Sequence, residues 1–205
     1  MTFLQVILRG ISGVGKSTIR RMISDFFVSK GVTVVILSKD DIREESARNF
    51  GTTYTYSPKE ESMTTYLYIS RLNALFSCIR DNEFKDCVLI CDNTHVNLRQ
   101  LAESGLAIPP HEIPLLMEPN RPYARVLIEV GSEKSVSAKE YTVGNFIISR
   151  QRTEMAESKE ILHEWCCNKG IPMFYIGARK AIEDGLGELL DQLFTMHLVK
   201  IEDKI

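Results

Sequence analysis

Close to the start, Gly10-Ile11-Ser12-Gly13-Val14-Gly15-Lys16-Ser17-Thr18 places glycines, a lysine and two hydroxyls in the order G-x-x-x-x-G-K-[ST]. Glycines so spaced let backbone N–H groups turn inward around an anion, and a helix opening near Ser17 adds the partly positive end of its dipole. The chemistry this serves is the cradling of a polyphosphate. Gly10, Ser12, Gly13, Val14, Gly15, Lys16, Ser17 and Thr18 are the expected contacts of a nucleoside triphosphate, with Lys16 on the β- and γ-phosphates and the Ser17 hydroxyl on Mg²⁺. ATP and Mg²⁺ are therefore the expected cofactors. The glycines themselves run G-x-x-G-x-G and are followed by Lys-Ser, the wrong order for a dinucleotide fingerprint.

A second constellation, Ser38-Lys39-Asp40-Asp41-Ile42-Arg43, sets two carboxylates beside a guanidinium. Phosphoryl transfer to a hydroxyl uses a base at the acceptor. Asp40 or Asp41 could take the proton as the oxygen attacks, while Arg43 binds an anionic group of the acceptor. Their bland role is to cap a helix from Ile42 through Ala47, and one acid is expected in each role. Asp92, opening Asp92-Asn93-Thr94 after an apolar run, is expected on the magnesium side, with Asn93 and Thr94 orienting the acceptor or the catalytic aspartate. Arg150 and Arg152 follow a polar stretch from Gly131 to Asn145. That stretch is expected to supply a lid, 131–152, whose arginines stabilise the charge developing in transfer.

The elements that must position these groups read as alternating strands and helices. Phe3 to Leu8 is a strand leading into the loop. Ile19, Met22, Ile23, Phe26 and Phe27 recur at helical spacing up to Gly31, and Val32 to Leu37 reads as a buried parallel strand. A right-handed crossover then brings both strands' C-terminal ends to one edge, where ligands of open α/β sheets bind. After a loop carrying Tyr54 and Tyr56, Pro58 starts a long helix with Met63, Tyr66, Leu67, Ser70, Leu75, Phe76 and Ile79 near one face. Cys87 to Cys91, Arg125 to Val130 and Met173 to Ile176 complete the strands. Residues 105–124 hold five prolines and form an excursion expected on the substrate side, with Arg121 and Arg125 as candidate anion contacts. Leu186, Leu189, Leu190, Leu193 and Phe194 make a last apolar stripe.

With 205 residues, 44% of them hydrophobic and 25% charged, the chain suits one soluble domain, 1–205. The net charge of −2 excludes a general polycation, so a nucleic-acid substrate would need a local basic surface. Five cysteines show no C-x-x-C or metal-ligand spacing with the four histidines, and are read as reduced thiols of a cytoplasmic protein. No signal peptide is expected, and no apolar run approaches the ~18 residues of a membrane span.

On Gly10 to Thr18, Lys39-Asp40-Asp41-Ile42-Arg43 and Asp92-Asn93-Thr94, the chain resembles the kinase domain of phage-type polynucleotide kinase, including phage kinases of hydroxymethyluracil in DNA. The resemblance implies a three-layer α/β P-loop kinase fold with a mainly parallel five-stranded sheet and helices on both faces. It implies Asp40 as the base, Arg43 as the acceptor-phosphate contact and Asp92 as the magnesium-side acid. The leading expectation is an ATP-dependent kinase of a nucleic-acid hydroxyl, either a 5′ end or a hydroxymethylated pyrimidine of DNA. The alternatives are a kinase of a small molecule such as a nucleoside, sugar acid or antibiotic, and a nucleotide-binding module without transfer chemistry.

Overall fold

The computed structural model describes residues 3–11, 13–51, 58–80, 86–92, 124–131 and 159–198. Five strands form one sheet: β1 (Phe3–Arg9), β2 (Thr33–Leu37), β3 (Cys87–Asp92), β4 (Ala124–Gly131) and β5 (Met173–Gly177), in the order β2-β3-β1-β4-β5. Strand β1 runs parallel to β4 and β4 parallel to β5. A first strand at the centre, followed directly by the glycine-rich loop, is the arrangement of an α/β P-loop fold, and the expected fold class holds. By internal contacts the chain falls into two compact units, residues 1–35 with 86–90 and 123–205, and residues 36–85 with 91–122.

In the first unit the core follows from alternation along β1. Leu4, Val6 and Leu8 share one face with Val126, Ile128 and Val130 of β4, and all are buried. Helix α1 (Lys16–Ser29) lays Ile19, Ile23 and Phe27 on that face, the stripe its spacing predicts. Helix α1 ends where Gly31, at φ 75°, turns the chain toward β2. Helix α6 (Gly187–Leu198) buries Leu189 and Leu193 in the same core, with Leu186 just ahead of it. The short α5 (Ala178–Glu183) packs beside α1.

The opposite face carries Gln5 and Arg9 of β1 and Arg125 and Glu129 of β4. Helix α4 (Lys159–Lys169) serves it, for its Trp165 ring lies under the Arg125 guanidinium at 5.9 Å. Helices thus line both faces, as expected. Helix α4 had no counterpart in the sequence reading, although buried Leu162 and Cys166 repeat at i, i+4 and Gly170 closes it at φ 61°.

In the second unit, α2 (Lys39–Phe50) and α3 (Pro58–Arg80) are joined by a forked ion pair, Arg71 donating to both carboxylate oxygens of Glu45 at 2.8 and 2.9 Å. Three expectations need correction. Strand β2 is an edge strand whose Thr33 and Ile36 are exposed, not a buried one: its β-branched run reflects strand propensity rather than burial on both faces. Helix α2 starts at Lys39 and is capped by Ser38, whose hydroxyl accepts the Asp40 N–H at 3.2 Å, so neither aspartate serves as cap. Helix α3 buries Phe76 and Ile79 as expected, but its earlier turns bury Thr65, Tyr68, Ile69 and Leu72 instead of the residues expected there, and expose Met63. Among the described residues no helix is long and apolar enough to cross a membrane.

Candidate active site

The loop between β1 and α1 is held by its own backbone. Val14 N–H reaches Ile11 O at 3.4 Å, and the Thr18 and Ile19 amides close on Gly15 O at 3.1 Å, starting the helix. Gly13 at φ 77° and Gly15 at φ 105° occupy backbone conformations that a side chain would strain. Gly10 is required for space: a Cβ there would lie 2.6 Å from Val130 O. Val14, expected among the phosphate contacts, buries its side chain in the apolar core, so only its backbone can serve a ligand. Lys16 Nζ donates to Gly10 O and to Ile11 O, both at 2.8 Å, which sets the ammonium across the loop's own mouth. The Ser17 hydroxyl is exposed, and Arg20 approaches its Oγ at 3.4 Å. Ser12 lies outside the described residues.

The second unit gathers the other group. Asp40 and Arg43, three residues apart on α2, form an ion pair at 2.5 Å, with the Asp40 side chain 61% exposed and that of Arg43 14%. Of the two candidate aspartates, then, Asp40 is the one the helix turns onto Arg43. Asp92 ends β3 with its Oδ2 accepting the Lys39 N–H at 2.7 Å, so its carboxylate binds the first turn of α2. The Asp92 carbonyl accepts the hydroxyl of Tyr68 at 2.8 Å. Tyr68 is fully buried, and burial pushes its phenol well above the ordinary tyrosine range, aided by the nearby Cys91 and Asp92; it stays a proton donor throughout the physiological range. The Lys39 ammonium lies 5.8 Å from the centre of the same ring. Tyr68 and Lys39 support Asp92, Tyr68 from a position that no motif marks. The signal was there, since a tyrosine in a buried helical stripe needs a partner for its hydroxyl.

Arg125 is corrected as an acceptor contact. It sits at the start of β4, in register with Gln5 and stacked on Trp165, away from the C-terminal strand ends where the loop lies. Asn93, Thr94, Arg121, Arg150, Arg152, the loop tyrosines and nearly all of both expected excursions, 105–124 and 131–152, lie outside the described residues; only their end residues 124 and 131 are described, as the ends of β4.

A family model described as adenylylsulphate kinase matches residues 3–77, well under half of the chain but spanning β1, the loop, α1, β2 and α2 and reaching into α3. No curated protein sequence matches the chain. Among solved structures, shikimate kinase from Bacteroides thetaiotaomicron is similar at 12% identity and TM-score 0.47, covering 93% of this chain and 98% of its own. Shikimate kinase from Aquifex aeolicus has 13% identity and TM-score 0.45, covering 96% and 99%. A gluconokinase from Sinorhizobium meliloti has 12% identity and TM-score 0.42, covering 93% and 95%. Likeness at such identities bears on fold alone. The family model lends no specific support to the resemblance to phage polynucleotide kinase.

Ser17 in the first unit and Asp92 in the second each carry an oxygen donor of the hard type that Mg²⁺ takes. Among the described residues no three His, Cys, Asp or Glu side chains come together as a metal cage.

Proposed function

We propose that the chain is an ATP-dependent phosphotransferase whose acceptor is the hydroxyl of a small molecule carrying an anionic group. The observation that carries this reading is the Asp40–Arg43 pair near the start of α2. It sets a carboxylate able to receive a hydroxyl proton beside a cation able to hold an acceptor's phosphate, sulfate or carboxylate. The match to the adenylylsulphate kinase model over residues 3–77, which include both the phosphate loop and this pair, supports a small acceptor over a nucleic-acid one. So does the net charge of −2.

In this mechanism the backbone amides of Gly13 to Thr18 and the Lys16 ammonium hold the triphosphate. Binding transfers Lys16 from the carbonyls of Gly10 and Ile11 to phosphate oxygens, a charge-assisted contact stronger than the one it leaves. Mg²⁺, held by Ser17 and Asp92, would neutralise charge on the phosphates. Arg43 fixes the acceptor through its anionic group, and Asp40 takes the proton of the attacking hydroxyl. The oxygen–phosphorus bond forms as the bond to the leaving ADP oxygen breaks, so phosphoryl passes to the acceptor and the proton to Asp40. Arg150 and Arg152 are proposed to add positive charge at the transferring group.

The test is phosphoryl transfer from labelled ATP with Mg²⁺ to a panel of acceptors: adenylylsulphate, small hydroxy acids, nucleosides, 5′-OH oligonucleotides and hydroxymethyluracil DNA. Transfer to an anionic small molecule, unaffected by moderate salt and lowered about 10²–10⁴-fold in Asp40→Asn, is the expected result. Transfer to oligonucleotides alone, falling steeply with salt, would replace the small acceptor by nucleic acid. ATP binding with no transfer to any acceptor would leave a nucleotide-binding module.

A further inference from the structure

At the root of the phosphate loop lies an ion pair for which nucleotide binding by itself gives no role. Arg9 is the last residue of β1 and only 5% exposed; it donates to Glu129, 15% exposed, which is its register partner on β4. Little of the pair meets solvent. Cys166 of α4 is buried beside them, and its thiol is pushed up to about 11, burial outweighing the opposing pull of the Arg9 charge. On the same face of β1, Phe3 and Ile7 are apolar and Gln5 is polar, all three buried, so burial at position 9 does not itself call for a charge and an apolar side chain fits there as it does at 3 and 7. A buried ion pair is a poor source of stability relative to such a replacement, and its best-attested use is to set register.

What that register controls is the next residue. Gly10 packs against Val130 O too closely for any Cβ, and its carbonyl accepts from Lys16 Nζ. On the other face of the sheet the loop is tied down by Val14 in the apolar core. We propose that Arg9 and Glu129 are positioning residues for the phosphate cradle, clamping Gly10 against β4 and thereby setting the place from which Lys16 and the loop amides meet the phosphates. The cradle is then fixed from both sheet faces, by an apolar anchor at Val14 and an ionic one at Arg9. A slip of β1 along β4 would separate the two charges where little solvent meets them, at a cost no apolar pair could impose.

This inference rests on the reading of the loop as an ATP site. Its test measures the affinity for ATP and for ADP by calorimetry, well below each protein's melting temperature, for the wild type, Lys16→Ala, Glu129→Gln, the milder Arg9→Lys, and the exchange Arg9→Glu/Glu129→Arg. Positioning predicts that Glu129→Gln, while folded, binds both nucleotides roughly tenfold more weakly. Arg9→Lys should lose less, and the exchange should recover most of the loss. Should Glu129→Gln or Arg9→Lys melt earlier yet bind as tightly as the wild type, the pair serves stability alone and the inference falls. It falls equally if the exchange binds no better than Glu129→Gln. A wild type that binds neither nucleotide sinks the ATP reading and this inference together, whereas tight wild-type binding lost in Lys16→Ala but kept in Glu129→Gln sinks only the inference. If Glu129→Gln does not fold, Arg9→Lys decides by the same comparison of affinity with melting.

Discussion

Gly10 and Gly131 both have another atom where a Cβ would go, yet replacing them should differ in effect. At Gly10 the obstacle is a backbone oxygen, Val130 O at 2.6 Å, held by the ladder between β1 and β4. At Gly131 it is the hydroxyl end of Tyr175, whose side chain is 69% exposed and can swing aside. Gly10→Ala is expected to cost about 1–3 kcal/mol in urea unfolding, the range for overpacking a rigid site, whereas Gly131→Ala should stay within about 0.5 kcal/mol. Lys16 makes the complementary point about function. Lys16→Ala removes a charge-assisted contact of about 1.5–3 kcal/mol and should weaken ATP binding roughly 10- to 150-fold with little change in melting temperature. A melting curve and a titration on the same preparations check all three.

At the scale of elements, the start of α2 decides where Asp40 and Arg43 stand. Ser38 is buried and its hydroxyl takes up the Asp40 N–H, while Asp92 takes up that of Lys39. Ser38→Ala is expected to cost about 1 kcal/mol in the unfolding free energy, measured by urea titration. That Ser38 rather than an aspartate caps the helix was legible only in part. Serine and aspartate are equally good caps by type, and which one serves depends on where the strand lets go of the chain, a tertiary matter. The conformation of the phosphate loop is legible at Gly10, Gly13 and Gly15, whose positions local geometry reserves for glycine. The burial of β2 was not legible, since β-branched residues suit an edge as well as a centre. Phe76 and Ile79 of α3 are buried as their spacing predicts, but the earlier turns differ: Met63 and Leu67 count as core by type, whereas Tyr68 holds its buried place through a hydrogen bond to the Asp92 carbonyl. Arg9 belongs to none of the motifs in the sequence. Nothing short of the β1–β4 register could show that Glu129, far off in sequence, stands beside it.

For the molecule as a whole, the titratable groups divide the response to acid into two windows. His197 is buried on α6 with its ring edge-on to Phe27 of α1. Burial lowers its pKa below the ordinary 6.5, against a weaker opposing pull from Asp86. The folded form therefore prefers the neutral ring, and the unfolded chain binds the extra proton between the folded value and 6.5. Stability is fully present above pH 6.5 and is lost as the pH falls below it toward the folded value. Glu45 behaves differently. Its hydrogen bonds and ion pair with Arg71 hold its carboxyl below the ordinary 4.5, so its contribution persists down to pH 4.5 and is lost only as the pH falls through the folded value. Both of its partners are partly exposed, so this second loss should be small and should shrink further in salt. Urea midpoints measured from pH 8 to 3 should thus hold level, decline first below about 6.5, and decline again below about 4.5 as carboxylates protonate. His197→Leu should flatten the first decline and leave the second in place, while Glu45→Gln should do neither more nor less than soften the second. A first decline that survives in His197→Leu would assign it to some group other than the buried imidazole packed between α6 and α1.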